Sequence, residues 1–217
     1  MQFLTEKIWR MCPEYGLFNK TVIDNLLPLS SRGAKKALVN RALKHKEILC
    51  LKRGLYCLAE PFRAKNPHPF VIAGMLHSPS YVSMESSLRY YGLIPEAVYH
   101  VTSVTAKRSR IFKTALGHFC FKRIPCKKFR AGVKNINLSD NVWKYIASPL
   151  RAIADLIYLQ KKITANKDGM DFFVKSLRIE SDDLLSVNMD DFNEIYNSIN
   201  SRRVKEYLLF LKKELKK

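Results

Sequence analysis

Apolar residues recur at helical spacing from the first positions of the chain, where Leu4, Ile8 and Met11 mark one short amphipathic helix. Cys12-Pro13 ends it, because the residue before proline is pushed out of the helical region, and Gly16 lies in the break. Asn19 is placed to cap a second helix that buries Val22, Ile23, Leu26 and Leu27 and stops at Pro28. Ser30 or Ser31 caps a third, running from about Arg32 to His45. On that helix Ala34, Leu38 and Ala42 are expected to pack inward. Arg32, Lys36, Asn40 and Lys44, four apart, line an outward stripe flanked by Lys35 and Arg41. Val39 and Leu43 lie close to the basic side, so the separation is imperfect. Two strand-forming runs follow, Ile48–Leu51 and Leu55–Ala59, joined through Lys52-Arg53-Gly54. With Arg53-Gly54 as a two-residue turn, Leu51 faces Tyr56 and Leu49 faces Leu58 on one side, and Cys50 faces Cys57 on the other. Three helices and a hairpin tipped with Lys52 and Arg53 is the order of a winged helix-turn-helix.

Beyond a proline-broken linker at Asn66–Pro69 the periods mix. Val71–Leu76 predicts a helix, Tyr81-Val82-Ser83 a brief strand, and Glu85–Tyr91 a short helix stopped by Gly92. Val98–Thr105, Gly117–Ile124 and Val142–Ala147 predict strands. Ser148-Pro149 then starts a helix that buries Ala152, Ile153, Leu156 and Ile157. Arg151 and Asp155 stand four apart on it; Asp155 either pairs with Arg151 or is a buried anchor that accepts backbone hydrogen bonds. From Asp168 onward the pattern is helical, roughly 168–178, 189–199 and 201–216. Asp190 and Asp191 suit a helix N-terminus; Lys212, Lys213, Lys216 and Lys217 suit a C-terminus. The expected fold class is α+β. A winged helix-turn-helix over residues 1–62 precedes a mixed α+β domain over 63–217 that ends in helices.

Charge changes this picture most. The 217 residues hold 38 Lys and Arg against 19 Asp and Glu, a net +19. The excess is +6 over residues 1–60, +11 over 61–150 and +2 over 151–217, so the first two thirds are one-signed and the last third is mixed. Such a field draws polyanions, nucleic acid foremost and an acidic protein second. Five cysteines (Cys12, Cys50, Cys57, Cys120, Cys126) show no Cys-x-x-Cys spacing, and five scattered histidines match no zinc pattern. Reduced thiols and no structural metal are expected. No apolar run approaches the roughly 18 residues of a membrane span, and residues 1–10 lack the apolar centre of a secretory signal. A cytoplasmic protein is expected, with no membrane partner.

No phosphate-binding glycine loop, nucleophile elbow or metalloprotease motif is present, and only Glu85, Glu96 and Asp140 are acidic between residues 61 and 150. No catalytic residue and no cofactor are assigned; a nucleic-acid-processing enzyme resting on Asp155 or Asp182 is the weakest reading. The DNA-binding candidates are Ser31, Arg32, Lys35, Lys36, Asn40 and Lys44 of the third helix, with Lys52 and Arg53 of the hairpin. Arg suits guanine, Asn suits adenine, and Lys or Ser holds phosphate. A second basic group, Lys107, Arg108, Arg110, Lys122, Arg123, Lys127, Lys128 and Arg130, either tracks phosphates or is a solvated edge.

Several stretches together resemble the AbiEi family of antitoxins and related regulators. They are Leu51-Lys-Arg-Gly-Leu-Tyr-Cys-Leu58, Tyr81-Val-Ser-Met-Glu-Ser-Ser-Leu-Arg-Tyr-Tyr-Gly-Leu-Ile94, Val101-Thr-Ser-Val-Thr-Ala-Lys-Arg108, Gly117-His-Phe-Cys-Phe121 and Ile146-Ala-Ser-Pro-Leu-Arg-Ala-Ile-Ala-Asp-Leu-Ile-Tyr158. The likeness runs in order from about residue 2 to 160. It implies a winged helix that represses its own operon at repeated half-sites in the promoter. It also implies an antitoxin activity of a type IV toxin–antitoxin (abortive infection, antiviral defence) system, which counters a nucleotidyltransferase-like toxin without a stable complex. Lys107, Arg108, Arg110, Lys122, Arg123, Lys127 and Lys128 then become candidates for backbone contact or for the antitoxin role. A solitary regulator without a toxin, and a protein that binds its toxin directly, are the alternatives.

Overall fold

The computed structural model describes residues 1–11, 14–95, 99–138, 142–165, 170–185 and 187–214. The expected break at Cys12-Pro13, strand start at Val98, helix start at Asp168 and Lys216-Lys217 terminus lie outside the described residues. The chain is an α+β protein with a mixed sheet. It divides into two compact units, residues 1–76 with 112–118 and residues 77–111 with 119–217. The first unit thus runs past the expected boundary at 62. Hydrogen bonds hold the extra segment: Lys65 N–H donates to Glu14 O at 2.8 Å, and Lys52 Nζ donates to Met75 O at 2.9 Å.

In the first unit the order is α1 (Phe3–Met11), β1 (Leu17–Asn19), α2 (Lys20–Leu26), α3 (Arg32–Lys44), β2 (Ile48–Lys52), β3 (Leu55–Leu58), a 3-10 turn at Glu60–Phe62 and α4 (Pro69–Leu76). Two polar caps set the helix starts. Asn19 Oδ1 accepts the Val22 N–H at 3.1 Å and Ser31 Oγ accepts the Ala34 N–H at 3.2 Å, each stabilising by about 1 kcal/mol. Of the two serines, Ser31 is therefore the cap. Leu4, Ile8, Phe18, Ile23, Val39, Ala42, Ile48 and Leu58 form the core of this unit.

Two expectations change here. Ala34 is exposed, and the inward face of α3 turns through Val39 and Ala42, with Leu38 and Leu43 half-buried. The hairpin register is also shifted. Leu49 pairs with Cys57 and Cys50 with Tyr56, and the ladder slips one place before Lys52 pairs with Leu55. That bulge turns Leu51 inward, where it is buried, and leaves Cys50 exposed opposite a tyrosine rather than facing Cys57. Gly54 still makes the turn, at φ 82°, a value that favours glycine. The short β1 was not expected; it pairs antiparallel with β3, giving the sheet order β1-β3-β2.

The second unit comprises β4 (Ser80–Val82), α5 (Glu85–Tyr90), β5 (His100–Thr105), β6 (Arg110–Thr114), β7 (Gly117–Arg123), β8 (Val133–Asn137), β9 (Trp143–Ala147), α6 (Pro149–Leu159), a π-helical turn at Phe172–Ser176, α7 (Ser181–Leu185), α8 (Phe192–Ser198) and α9 (Arg202–Glu214). The tip of the β6–β7 hairpin, 112–118, groups with the first unit. The sheet order is β6-β7-β5-β4-β9-β8, with β4 antiparallel to β5 and parallel to β9. Ser148 caps α6 as expected, accepting the Arg151 N–H, with Pro149 in its first turn. Every residue from Leu150 to Ile157 is buried, so α6 is the centre of the unit and not a surface helix. Strands β6 and β8 and helix α7 were not expected. Asp191 precedes α8 without capping it; its carboxylate meets Lys134 Nζ at 2.8 Å.

Arg151 is fully buried in this core. Its Nε meets Asp155 Oδ1 at 2.9 Å, one terminal nitrogen donates to Ala131 O at 2.9 Å, and the other donates to the Tyr81 hydroxyl at 2.6 Å. Asp155 Oδ2 accepts from Ser83 Oγ at 2.7 Å and Tyr81 OH at 3.0 Å. The expected pair with Arg151 is present, and Asp155 is also a buried anchor, but its other partners are hydroxyls and not backbone N–H groups. Burial pushes the Asp155 carboxyl up against the pull of Arg151 and the two hydroxyls. Burial works against the Arg151 charge as well, but Asp155, Tyr81 and Cys126 together outweigh it, so the guanidinium stays above its ordinary value.

Candidate nucleic-acid interface

A cleft of about 760 Å³ opens on the first unit where α2, the amino half of α3 and the hairpin tip converge. Ile23, Val39 and Tyr56 give it apolar lining. Its polar lining is Lys20, Asp24, Arg32, Lys35, Lys36, Asn40 and Arg53. The spacing of Arg32, Lys36 and Asn40, one helical turn apart, sets them in a row along α3. Gly54 lets the hairpin turn tightly enough to bring Arg53 to the same cleft.

Geometry sorts the candidates from the sequence into two groups. Lys35 is half-buried and ion-paired with Asp24 at 3.0 Å. That hydrogen bond holds the Asp24 carboxyl below its ordinary value, against the opposing effect of burial. Lys52 is half-buried and donates to the last carbonyls of α4, those of Met75 and Leu76, so it serves as a cap on that helix. Neither is an outward-pointing charge. Ser31 Oγ is engaged as the cap of α3. Arg32, Lys36, Asn40, Lys44 and Arg53 differ: among the described residues, no side-chain hydrogen bond or ion pair engages any of them. Four of these line the cleft, and Lys44 lies a turn beyond Asn40 on the same stripe. Lys20, at the first turn of α2, was not among the sequence candidates. Its position in the chain gave no signal, because only the fold brings α2 beside α3.

In the second unit Lys107, Arg108, Arg110, Lys122, Arg123, Lys127 and Lys128 are all exposed. Arg123 N–H donates to Ser109 Oγ at 2.9 Å, which ties the end of β7 to the segment carrying Arg108 and Arg110. Five of the cations thus lie on adjoining segments, while Lys127 and Lys128 follow in the next loop. Among the described residues no three His, Cys, Asp or Glu side chains are grouped to hold a metal, and no helix is long and apolar enough to cross a membrane. No protein-family model and no curated protein matches this chain.

Proposed function

We propose that this protein is a sequence-specific duplex-DNA-binding repressor of its own promoter, with its N-terminal unit acting as a winged helix-turn-helix. The observation that carries the reading is the cleft at which Arg32, Lys36 and Asn40 of α3 meet Arg53 of the hairpin, all without a side-chain partner among the described residues. Supporting it are the order helix, strand, two helices and hairpin, and the antiparallel sheet order β1-β3-β2. In this reading α3 enters the major groove, Arg32 and Asn40 read base edges, and Lys36, Lys44 and Arg53 neutralise phosphates. Two molecules on paired half-sites occlude the promoter.

The resemblance over residues 2–160 extends the proposal to an antitoxin that counters a nucleotidyltransferase-like toxin without a stable complex. The exposed cluster Lys107, Arg108, Arg110, Lys122 and Arg123 is the part of the second unit assigned to that activity.

The test is fluorescence anisotropy of a labelled duplex from the gene's own upstream region against a scrambled duplex. A preference of about 10³-fold or more at moderate salt is expected of a specific repressor. Arg32→Ala is expected to cost about 1–3 kcal/mol on the native duplex and far less on the scrambled one. Equal binding of both duplexes would reject sequence-specific repression.

A further inference from the structure

The outer pair of strands in the second unit carries a surface that the duplex reading leaves unused. The register of β8 and β9 sets Asn137 opposite Trp143 and Asn135 opposite Tyr145. Residues directly opposite, and residues two apart on one strand, share a face of the sheet, so these four side chains stand together. Trp143 is 52% exposed and Tyr145 37%, and both stand outside the hydrophobic core of the unit. The Arg130 guanidinium lies over the Tyr145 ring, 3.9 Å from its centroid. Neither asparagine amide has a hydrogen-bonded partner among the described residues. Lys127 and Lys128, both exposed, lie in the loop that leads to Arg130.

We propose that this face binds an unpaired nucleic-acid strand. Successive bases stack on Trp143 and on the Arg130 guanidinium layered over Tyr145, the two aromatic positions lying roughly 7 Å apart along the strand. Lys127 and Lys128 meet the phosphates, and the amides of Asn135 and Asn137 reach base edges. A duplex cannot occupy the face in this way, because its bases already stack on one another and offer only their edges. A second copy of the chain would set Arg130, Lys127 and Lys128 against their own like, so charge disfavours self-association here. The partner that joins flat apolar rings to negative charge is a single strand of RNA or DNA. This inference stands apart from the duplex reading, and the two fail separately.

The experiment uses the full chain and labelled pyrimidine-rich RNA and DNA strands of about twelve nucleotides, with a duplex of equal length beside them. Trp143→Ala and Tyr145→Ala are each expected to weaken single-strand binding roughly ten- to hundred-fold and to leave duplex binding unchanged. Trp143→Phe, which keeps a ring, is expected to retain most of the affinity. Arg32→Ala is expected to show the converse, losing the duplex and keeping the single strand. The chain has two tryptophans, Trp9 and Trp143; in a Trp9→Phe background the emission of Trp143 should fall as the strand is added, with the face itself intact. Tighter binding of the RNA or of the DNA supports the proposal and names the strand. It is overturned by unchanged Trp143 emission, or by equal loss on single strand and duplex. A Trp143→Ala variant that turns a dimer into a monomer and binds the strand as before would also overturn it, making the face a contact between copies.

Discussion

Lys35 and Lys36 are adjacent in the chain and unlike in the fold. Lys35 holds Asp24 at 3.0 Å, whereas Lys36 lines the cleft with no side-chain partner among the described residues. Lys36→Ala is therefore expected to weaken duplex binding several-fold and to reduce its salt dependence by about one ion. Lys35→Ala is expected to change affinity little; equal losses from the two, measured by anisotropy, would show that Lys35 leaves Asp24 on binding. In the second unit the residue that matters most for stability is Arg151. Arg151→Met leaves Asp155 buried without its cation and is expected to cost about 3–5 kcal/mol in urea unfolding. Removing both charges together, as Arg151→Met with Asp155→Leu, should recover much of that loss, because the buried charge goes with its partner. No recovery would mean that the hydroxyls of Tyr81 and Ser83, left without an acceptor, dominate the cost.

Helix α9 shows how one element secures another. Val204, Tyr207, Leu208 and Leu211 form its buried stripe. From its first turn Arg203 reaches the end of α6, donating to Ile157 O at 2.6 Å, Gln160 O at 3.0 Å and Ile163 O at 2.8 Å. Arg203→Ala is expected to lower the stability of the chain by about 1–3 kcal/mol, and Arg203→Lys should restore little of it, since one ammonium cannot replace a fork of donors. A lysine variant as stable as the parent would show that charge alone suffices at the α6 terminus. Elements that depend on local chemistry were legible in the sequence. Asn19, Ser31 and Ser148 announce helix starts, Gly54 and Gly92 announce turns, and the α6 face follows from its apolar spacing. Elements that depend on distant partners were not. β8 reads Val-Lys-Asn-Ile-Asn, in which Lys and both Asn are types depleted in strands, and β9 pairs along its whole length. β6 begins inside a basic run that resembles a loop. The slip in the hairpin at Leu51 is a register shift that alternation along two strands does not encode. The same limit applies to the site: the stripe on α3 was legible, but the engagement of Lys35 and Lys52 by Asp24 and α4 was not.

At the scale of the whole molecule the charge is divided among surfaces. The cleft of the first unit, the cluster around Arg110 and Arg123, and the face around Arg130 each hold several open cations. These surfaces should separate in a salt series. Changing Arg108, Arg110, Lys122 and Arg123 together to Gln is expected to lower the slope of log K against log salt by up to about 0.9 per lost phosphate contact, equally on native and scrambled duplex. The ratio of the two affinities should stay as it was, since phosphate contacts carry no sequence information. A collapse of that ratio would place base reading in the second unit and remove α3 from the central role. Should the slope stay unchanged while antitoxin activity in cells is lost, the cluster would serve the toxin response and not DNA.

The ties of Lys35 to Asp24 and of Lys52 to the end of α4 also bear on how such a chain can diverge. If the proposed duplex reading holds, a descendant that acquires a new operator is free to exchange Arg32, Lys36, Asn40 and Arg53, since among the described residues nothing pairs with their side chains. Positions 24 and 35 must drift as a couple, and position 52 must keep a donor long enough to reach the α4 carbonyls. Among diverged descendants the signature would be independent turnover at four positions, coupled change at 24 and 35, and a long donor kept at 52.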